Sequence, residues 1–141
     1  MHWREEPERA ALIGFGEPPA PEDLEMLRGA GPAQIVREGG ETTLLVPLAR
    51  AAEVLARHSS ARVQRGLVWF RFEAEMGWEV VGFLALVAGR MAEAGVPIGA
   101  VCGYSRDHLF VAQEHRDRAR GVLAALFPES RATAGGSRAS C

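Results

Sequence analysis

Apolar residues recur at helical spacing in the second half of the chain. Val80, Phe83, Leu84, Val87 and Met91 form an i, i+3, i+4, i+7 stripe that predicts an amphipathic helix over residues 79–94. Gly82 and Gly89 fall inside that span at about 1 kcal/mol each relative to Ala, which close packing would explain. Gly95 stands where a left-handed residue ends a helix. Ahead of the stripe, residues 63–73 alternate. Val68, Phe70 and Phe72 share one face, while Leu67 and Trp69 lie beside Arg71 on the other, so a long strand is expected. Residues 96–102 and 108–112 read as two short strands around a polar turn at 103–106. A last helix from about residue 114 would bury Ala119, Val122, Leu123 and Leu126 and end before Pro128.

The first half follows the same order with weaker signals. Residues 1–9 are charged and contain Pro7, and are expected to be a flexible lead-in. The apolar run from Ala10 to Phe15 predicts a strand, and Pro21 can open a short helix through Arg28. Residues 33–37 and 42–46 are β-prone runs joined by Glu38-Gly39-Gly40-Glu41, a hairpin signal, and Pro47 stops the second run. Leu48, Ala51, Ala52 and Leu55 predict a helix to about Arg57, with His58-Ser59-Ser60 as a connector. The tail at residues 129–141, rich in Ser, Gly and Ala, is expected to be disordered.

Each half therefore reads strand, helix, strand, strand, helix, which is most of a ferredoxin-like βαββαβ unit. The expected fold class is α+β, with antiparallel sheets and helices packed on one face. The expected organisation is a lead-in at 1–9, a first half at 10–60, a second at 61–128 and the tail at 129–141. The strand at 63–73 lies between the two sets, where the halves could share strands.

Composition narrows the function. With 141 residues, 48% hydrophobic and 24% charged, the chain has room for one domain or two small halves. A formal net charge of −2 gives no reason to expect a nucleic-acid partner. All 16 basic residues are Arg, which excludes lysine Schiff-base chemistry. The longest apolar run, residues 80–88, is too short to span a bilayer, and Met1 to Glu6 lack the apolar run of a secretory signal. A cytoplasmic setting is the default expectation, and no cofactor is implied. Cys102, in an expected buried strand, and Cys141, in the tail, are expected to be reduced, with Cys102 a small buried thiol.

One stretch carries a family signature. Gly82-Phe83-Leu84-Ala85, then Ala92-Glu93-Ala94-Gly95-Val96-Pro97-Ile98, then Ala100, Val101, Tyr104, Asp107 and Leu109-Phe110-Val111 together resemble an ACT domain. The subgroup that the chain resembles most is the small tandem ACT proteins related to the CASTOR arginine sensors. The likeness covers roughly residues 10–127, strongly in the second half. It implies a non-catalytic regulatory protein that binds a small molecule, typically an amino acid, and it admits a homodimer. Two departures fall where the family meets its ligand. Tyr104-Ser105-Arg106-Asp107-His108 has Ser in place of the family's first acid, and Met76-Gly77-Trp78-Glu79-Val80-Val81 loses an acid at Gly77 and gains one at Glu79.

The candidate ligand-binding residues are Gly77, Trp78, Glu79, Val80, Val81, Gly82, Val101, Cys102, Tyr104, Ser105 and Asp107. A helix beginning near Glu79 would present free N–H groups to a ligand carboxylate, and Asp107 would accept a ligand ammonium or guanidinium group. In the plainer alternative Gly77 makes a turn, Glu79 complements the helix dipole and Asp107 bonds within its own turn. His108 and His115 lack metal-ligand spacing and read as surface residues. Trp69 reads as packing, and Arg116-Asp117-Arg118-Ala119-Arg120 as a solvated helix face. A structural or protein-interaction module with a decayed site remains a second reading, and a small enzyme on a ferredoxin-like fold a third.

Overall fold

The computed structural model describes residues 1–128, and the expected tail at 129–141, with Cys141, lies outside the described residues. The fold is α+β. The strands are β1 (Trp3–Phe15), β2 (Gln34–Glu38), β3 (Glu41–Pro47), β4 (Arg62–Phe72), β5 (Gly99–Cys102) and β6 (Asp107–Val111). The helices among the described residues are α1 (Pro21–Glu25), α2 (Ala51–Arg57), α3 (Phe83–Glu93) and α4 (Arg116–Leu126), with short 3₁₀ turns at Met26–Arg28, Leu48–Arg50 and Gln113–His115. The strands hydrogen-bond in the order β2-β3-β1-β4-β6-β5. The chain forms two compact units, one of Pro7–Val68 and one of Met1–Glu6 with, among the described residues, 69–128. Strands β1 and β4 contribute residues to both.

In the unit Pro7–Val68, β3 pairs antiparallel with β1, from Ala10↔Pro47 to Phe15↔Thr42, and with β2, from Gln34↔Leu45 to Glu38↔Glu41. The two glycines make the expected β2–β3 turn, and Gly39 takes φ 36°, open to residues without a side chain. Alternation along these strands sends Ala11, Ile13, Phe15, Leu44 and Val46 inward, where Met26, Ala51 and Val54 complete the core.

That core has a polar keystone which the sequence reading missed. Asp23 is fully buried and accepts from Arg57 Nε at 3.1 Å, from the Ala20 backbone N–H at 2.8 Å and from His58 Nε2 at 2.8 Å. His58, expected in a connector, is 5% exposed and stacks on Phe15 with ring centroids 3.6 Å apart. Burial alone would raise the Asp23 pKa, but the bonds from Arg57, His58 and Ala20 outweigh it and hold the carboxyl below its ordinary range.

In the other unit, β4 places Phe70 and Phe72 on the buried face as its alternation predicts, and Val87 and Met91 of α3 and Leu109 and Val111 of β6 are also fully buried. Phe72 meets Phe83 edge-on at 4.8 Å, and both approach Phe127, at 6.2 and 6.0 Å. Helix α3 ends as expected: Gly95 has φ 67°, its N–H reaches Ala92 O, and Val96 N–H reaches Met91 O. This paired closure satisfies carbonyls the helix leaves open.

Two boundaries differ from expectation. Residues 1–9 are not a flexible lead-in; β1 begins at Trp3, which is 4% exposed and meets Phe70 edge-on at 5.8 Å. Charges there are tolerated because the two largely buried carboxylates find arginine, while Glu8 is exposed. Glu5 takes Arg116 at 2.7 Å and Arg120 at 2.6 Å, and Glu6 takes Arg4 at 2.6 Å and Arg71 at 3.3 Å. The Arg116–Arg120 face is therefore partly committed to Glu5 rather than simply solvated. Helix α3, expected from residue 79, starts at Phe83 because Gly82 adopts φ 85°, outside helical geometry.

Truncating Asp23→Ala leaves Arg57 and His58 facing an empty partner position, and is expected to cost about 3 kcal/mol in urea unfolding. Glu5 is also held below its ordinary range, since its Arg116 and Arg120 bonds outweigh burial. Both carboxyls are depressed in the folded state, so their stabilisation is present above the ordinary carboxylate pKa and is lost as pH falls through the folded values. The urea midpoint is expected to drop between about pH 5 and about pH 3, less steeply in Asp23→Ala.

Candidate functional site

Between β4 and α3 the chain runs as a loop through Met76, Gly77 and Trp78. The Val80 N–H bonds Gly77 O at 3.1 Å, closing a turn with Trp78 and Glu79 at its tip. Gly77 thus makes a turn, as the plainer alternative had it, and it does not open a helix. The helix opening lies at Gly82, whose carbonyl accepts the Leu86 N–H at 2.9 Å. The N–H groups of Phe83, Leu84 and Ala85 precede that first bond and have no intrahelical acceptor, and no side chain caps them.

Strands β5 and β6 form the opposing hairpin, with Val101↔His108 and Cys102↔Asp107 in register. Its turn closes by Gly103 N–H to Arg106 O at 2.9 Å, and a Cβ on Gly103 would sit 2.9 Å from that same oxygen. Glycine is required there. A backbone bond from Met76 N–H to Ser105 O, 2.8 Å, ties the loop to the hairpin turn.

Loop, helix start and hairpin turn enclose a cleft of about 270 Å³. Of the expected site residues, Gly77, Trp78, Val80, Gly82, Cys102, Tyr104 and Asp107 line it. Glu79, Val81, Val101 and Ser105 are absent from the described lining. Glu79 folds its carboxylate back onto Gly77, Val81 points to solvent at 94% exposure, Val101 is half-buried, and Ser105 acts through its carbonyl. The structure adds Met76, Phe83, Leu84, Ala85 and Gly103 to the lining. Phe83 to Ala85 were missed because periodicity alone extends the helix back through the glycine that stops it. Phe83 also joins the cleft to the core through its contact with Phe72.

Two side chains near the cleft have perturbed electrostatics. Cys102 is exposed on its strand, not buried as expected, because β5 has a neighbour on one side only. Partial burial pushes its thiol pKa up, and the bond it donates to the Asp107 carboxylate pushes the same way. A thiol held protonated is a poor nucleophile. His108, expected on the surface, is half-buried and accepts the Trp69 indole N–H at Nδ1, 3.0 Å. Burial lowers its pKa, Arg106 adds to that, and Asp107 and Glu6 oppose it. Trp69 packs as expected, stacked on Phe110 at 6.1 Å. Among the described residues no three His, Cys, Asp or Glu side chains group as metal ligands, and no helix is long and apolar enough to cross a membrane.

Thiol alkylation of Cys102 is expected to have its pH midpoint above that of an ordinary cysteine, and Asp107→Asn to move it down. A profile identical in the two proteins would contradict the Cys102–Asp107 bond.

No family model and no curated protein matches this chain. Solved structures do. A protein from Agobacterium tumefaciens aligns over 88% of this chain and 87% of its own, with TM-score 0.72 and 18% identity. The aspartokinase alpha and beta subunits align over 91% and 98%, with TM-score 0.70 and 16% identity. The regulatory subunit of aspartate kinase from Thermus flavus aligns over 90% and 97%, with TM-score 0.67 and 15% identity. At such identities the likeness is one of fold, and the fold is ACT-like, similar to the regulatory domains of aspartate kinase.

Proposed function

We propose that this chain is a non-catalytic regulatory module that binds one small zwitterionic ligand, an amino acid, in the cleft at residues 76–107. The observation that carries this reading is the cleft's chemistry: the uncapped start of α3 and the Asp107 carboxylate line the same small space. Backbone N–H groups at a positive dipole end suit a ligand carboxylate, and Asp107 suits its ammonium group. The ACT-like fold and the regulatory neighbours support the same assignment. Binding would favour one arrangement of the loop and so report a metabolite level.

The tandem, ferredoxin-like reading and kinship with the CASTOR group belong to this proposal, as do the halves at 10–60 and 61–128, a cytoplasmic setting and a second copy as partner. It is supported by the order β1-α1-β2-β3-α2-β4 in Pro7–Val68, with strands paired as β2-β3-β1-β4. The corresponding point of that unit is closed by its own chain. Helix α1 is one turn long, Pro21 removes an N–H, and the Asp23 carboxylate takes the Ala20 N–H. One ligand per chain follows.

A second reading is favoured by the exposure of Trp78, Val81 and Tyr104, at 102%, 94% and 102%. Such groups also suit a protein-interaction surface.

Calorimetric titration with each of the proteinogenic amino acids is expected to show binding at one ligand per chain. Asp107→Asn is expected to weaken it about tenfold or more, the scale of a hydrogen bond to a charged group. Absence of heat with every amino acid would sink the proposal, and a ligand-independent rise in size-exclusion mass would favour the interaction module.

A further inference from the structure

We infer that the ligand of this cleft is an amino acid with a large apolar side chain, not a basic or acidic one. This rests on the proposed amino-acid binding and specifies it. Among the described lining residues Asp107 is the single charged side chain. In a zwitterion that carboxylate is used by the α-ammonium group, so a guanidinium or second ammonium would enter without a counter-charge. Glu75 and Glu79, the acids that flank the lining residues of the loop, do not line the cleft, and Glu79 folds onto Gly77. A side-chain carboxylate fares no better, because Arg106 of the hairpin turn is also absent from the lining. A charged side chain would find no partner along this lining, and whatever part of it the cleft removed from water would count against both classes.

The rest of the lining states the positive preference. Met76, Trp78, Val80, Phe83, Leu84 and Tyr104 offer apolar or aromatic surface, and Cys102 is held as a neutral thiol. Trp78 and Tyr104 come from the loop and the hairpin turn, and both are fully exposed without a ligand. An apolar side chain between them would remove aromatic surface from water, which rewards binding in proportion to the area covered. Size agrees. Sites for drug-sized molecules run from about 300 Å³ upward, whereas this cleft is about 270 Å³, suited to a single residue-sized ligand.

The test compares L-leucine, L-methionine and L-phenylalanine with L-arginine, L-lysine and L-glutamate by calorimetry. L-phenylalaninamide and N-acetyl-L-phenylalanine probe the two charged ends. The apolar set is expected to bind at least about tenfold more tightly than the charged set, and both blocked analogues more weakly than phenylalanine. Trp78→Ala should weaken apolar ligands several-fold while leaving the unliganded melting temperature unchanged, since Trp78 is fully exposed. Arginine, lysine or glutamate binding as tightly as the apolar set would overturn the inference and leave the proposed function standing. Failure of every amino acid to bind would overturn the function itself. Equal affinity of Trp78→Ala and the parent for phenylalanine would also overturn the inference.

Discussion

Strand β1 contributes residues to both compact units, so each depends on a segment whose first half is mostly charged. A carboxylate in a sheet is tolerable when a partner replaces the water it loses. Glu5 and Glu6 meet that condition through Arg116, Arg120, Arg4 and Arg71. Guanidinium groups suit this role because they stay charged and donate in a fork. Exposed pairs of this kind contribute little, but Glu5 and Glu6 keep only 10% and 12% of their side-chain surface in contact with solvent. There an unpaired carboxylate would be strongly unfavourable. Trp3, buried beside these pairs with Arg120 6.0 Å above its ring, supplies the apolar anchor.

The Asp23 cluster plays a comparable part in Pro7–Val68. One carboxylate joins the start of α1 to the end of α2, through Ala20 N–H, Arg57 and His58. The unit thereby has a polar centre with matched donors next to an apolar core, and the stacking of His58 on Phe15 joins the two. Fully satisfied networks of this sort fix geometry where apolar packing alone leaves choices.

What could be read from the sequence is what repeats locally. The β2–β3 hairpin, the alternation of β4, the interior of α3 and its Gly95 end all follow from spacing or from one residue's backbone freedom. What could not be read depends on partners distant along the chain. Nothing near Glu5 announces Arg116, and nothing near His58 announces Asp23, so a strand and a buried imidazole passed for a lead-in and a connector. The site was legible in outline for the same reason. Its residues lie in the two connections that flank α3 and β5, but the helix start was misplaced because apolar periodicity does not register a positive φ at Gly82. Cys102 was taken as buried because an apolar stretch does not reveal which strand is last in a sheet.

The bond from Met76 N–H to Ser105 O uses main-chain atoms alone. That bond does not depend on which side chains the loop and the turn carry, although Gly82 and Gly103 remain fixed by their backbone geometry. Trp78, Val80 and Tyr104, all exposed, can therefore change with little effect on the fold, each change altering the cleft's surface and not whether it exists. Single substitutions there could reshape the cleft while the strands and helices retained their order.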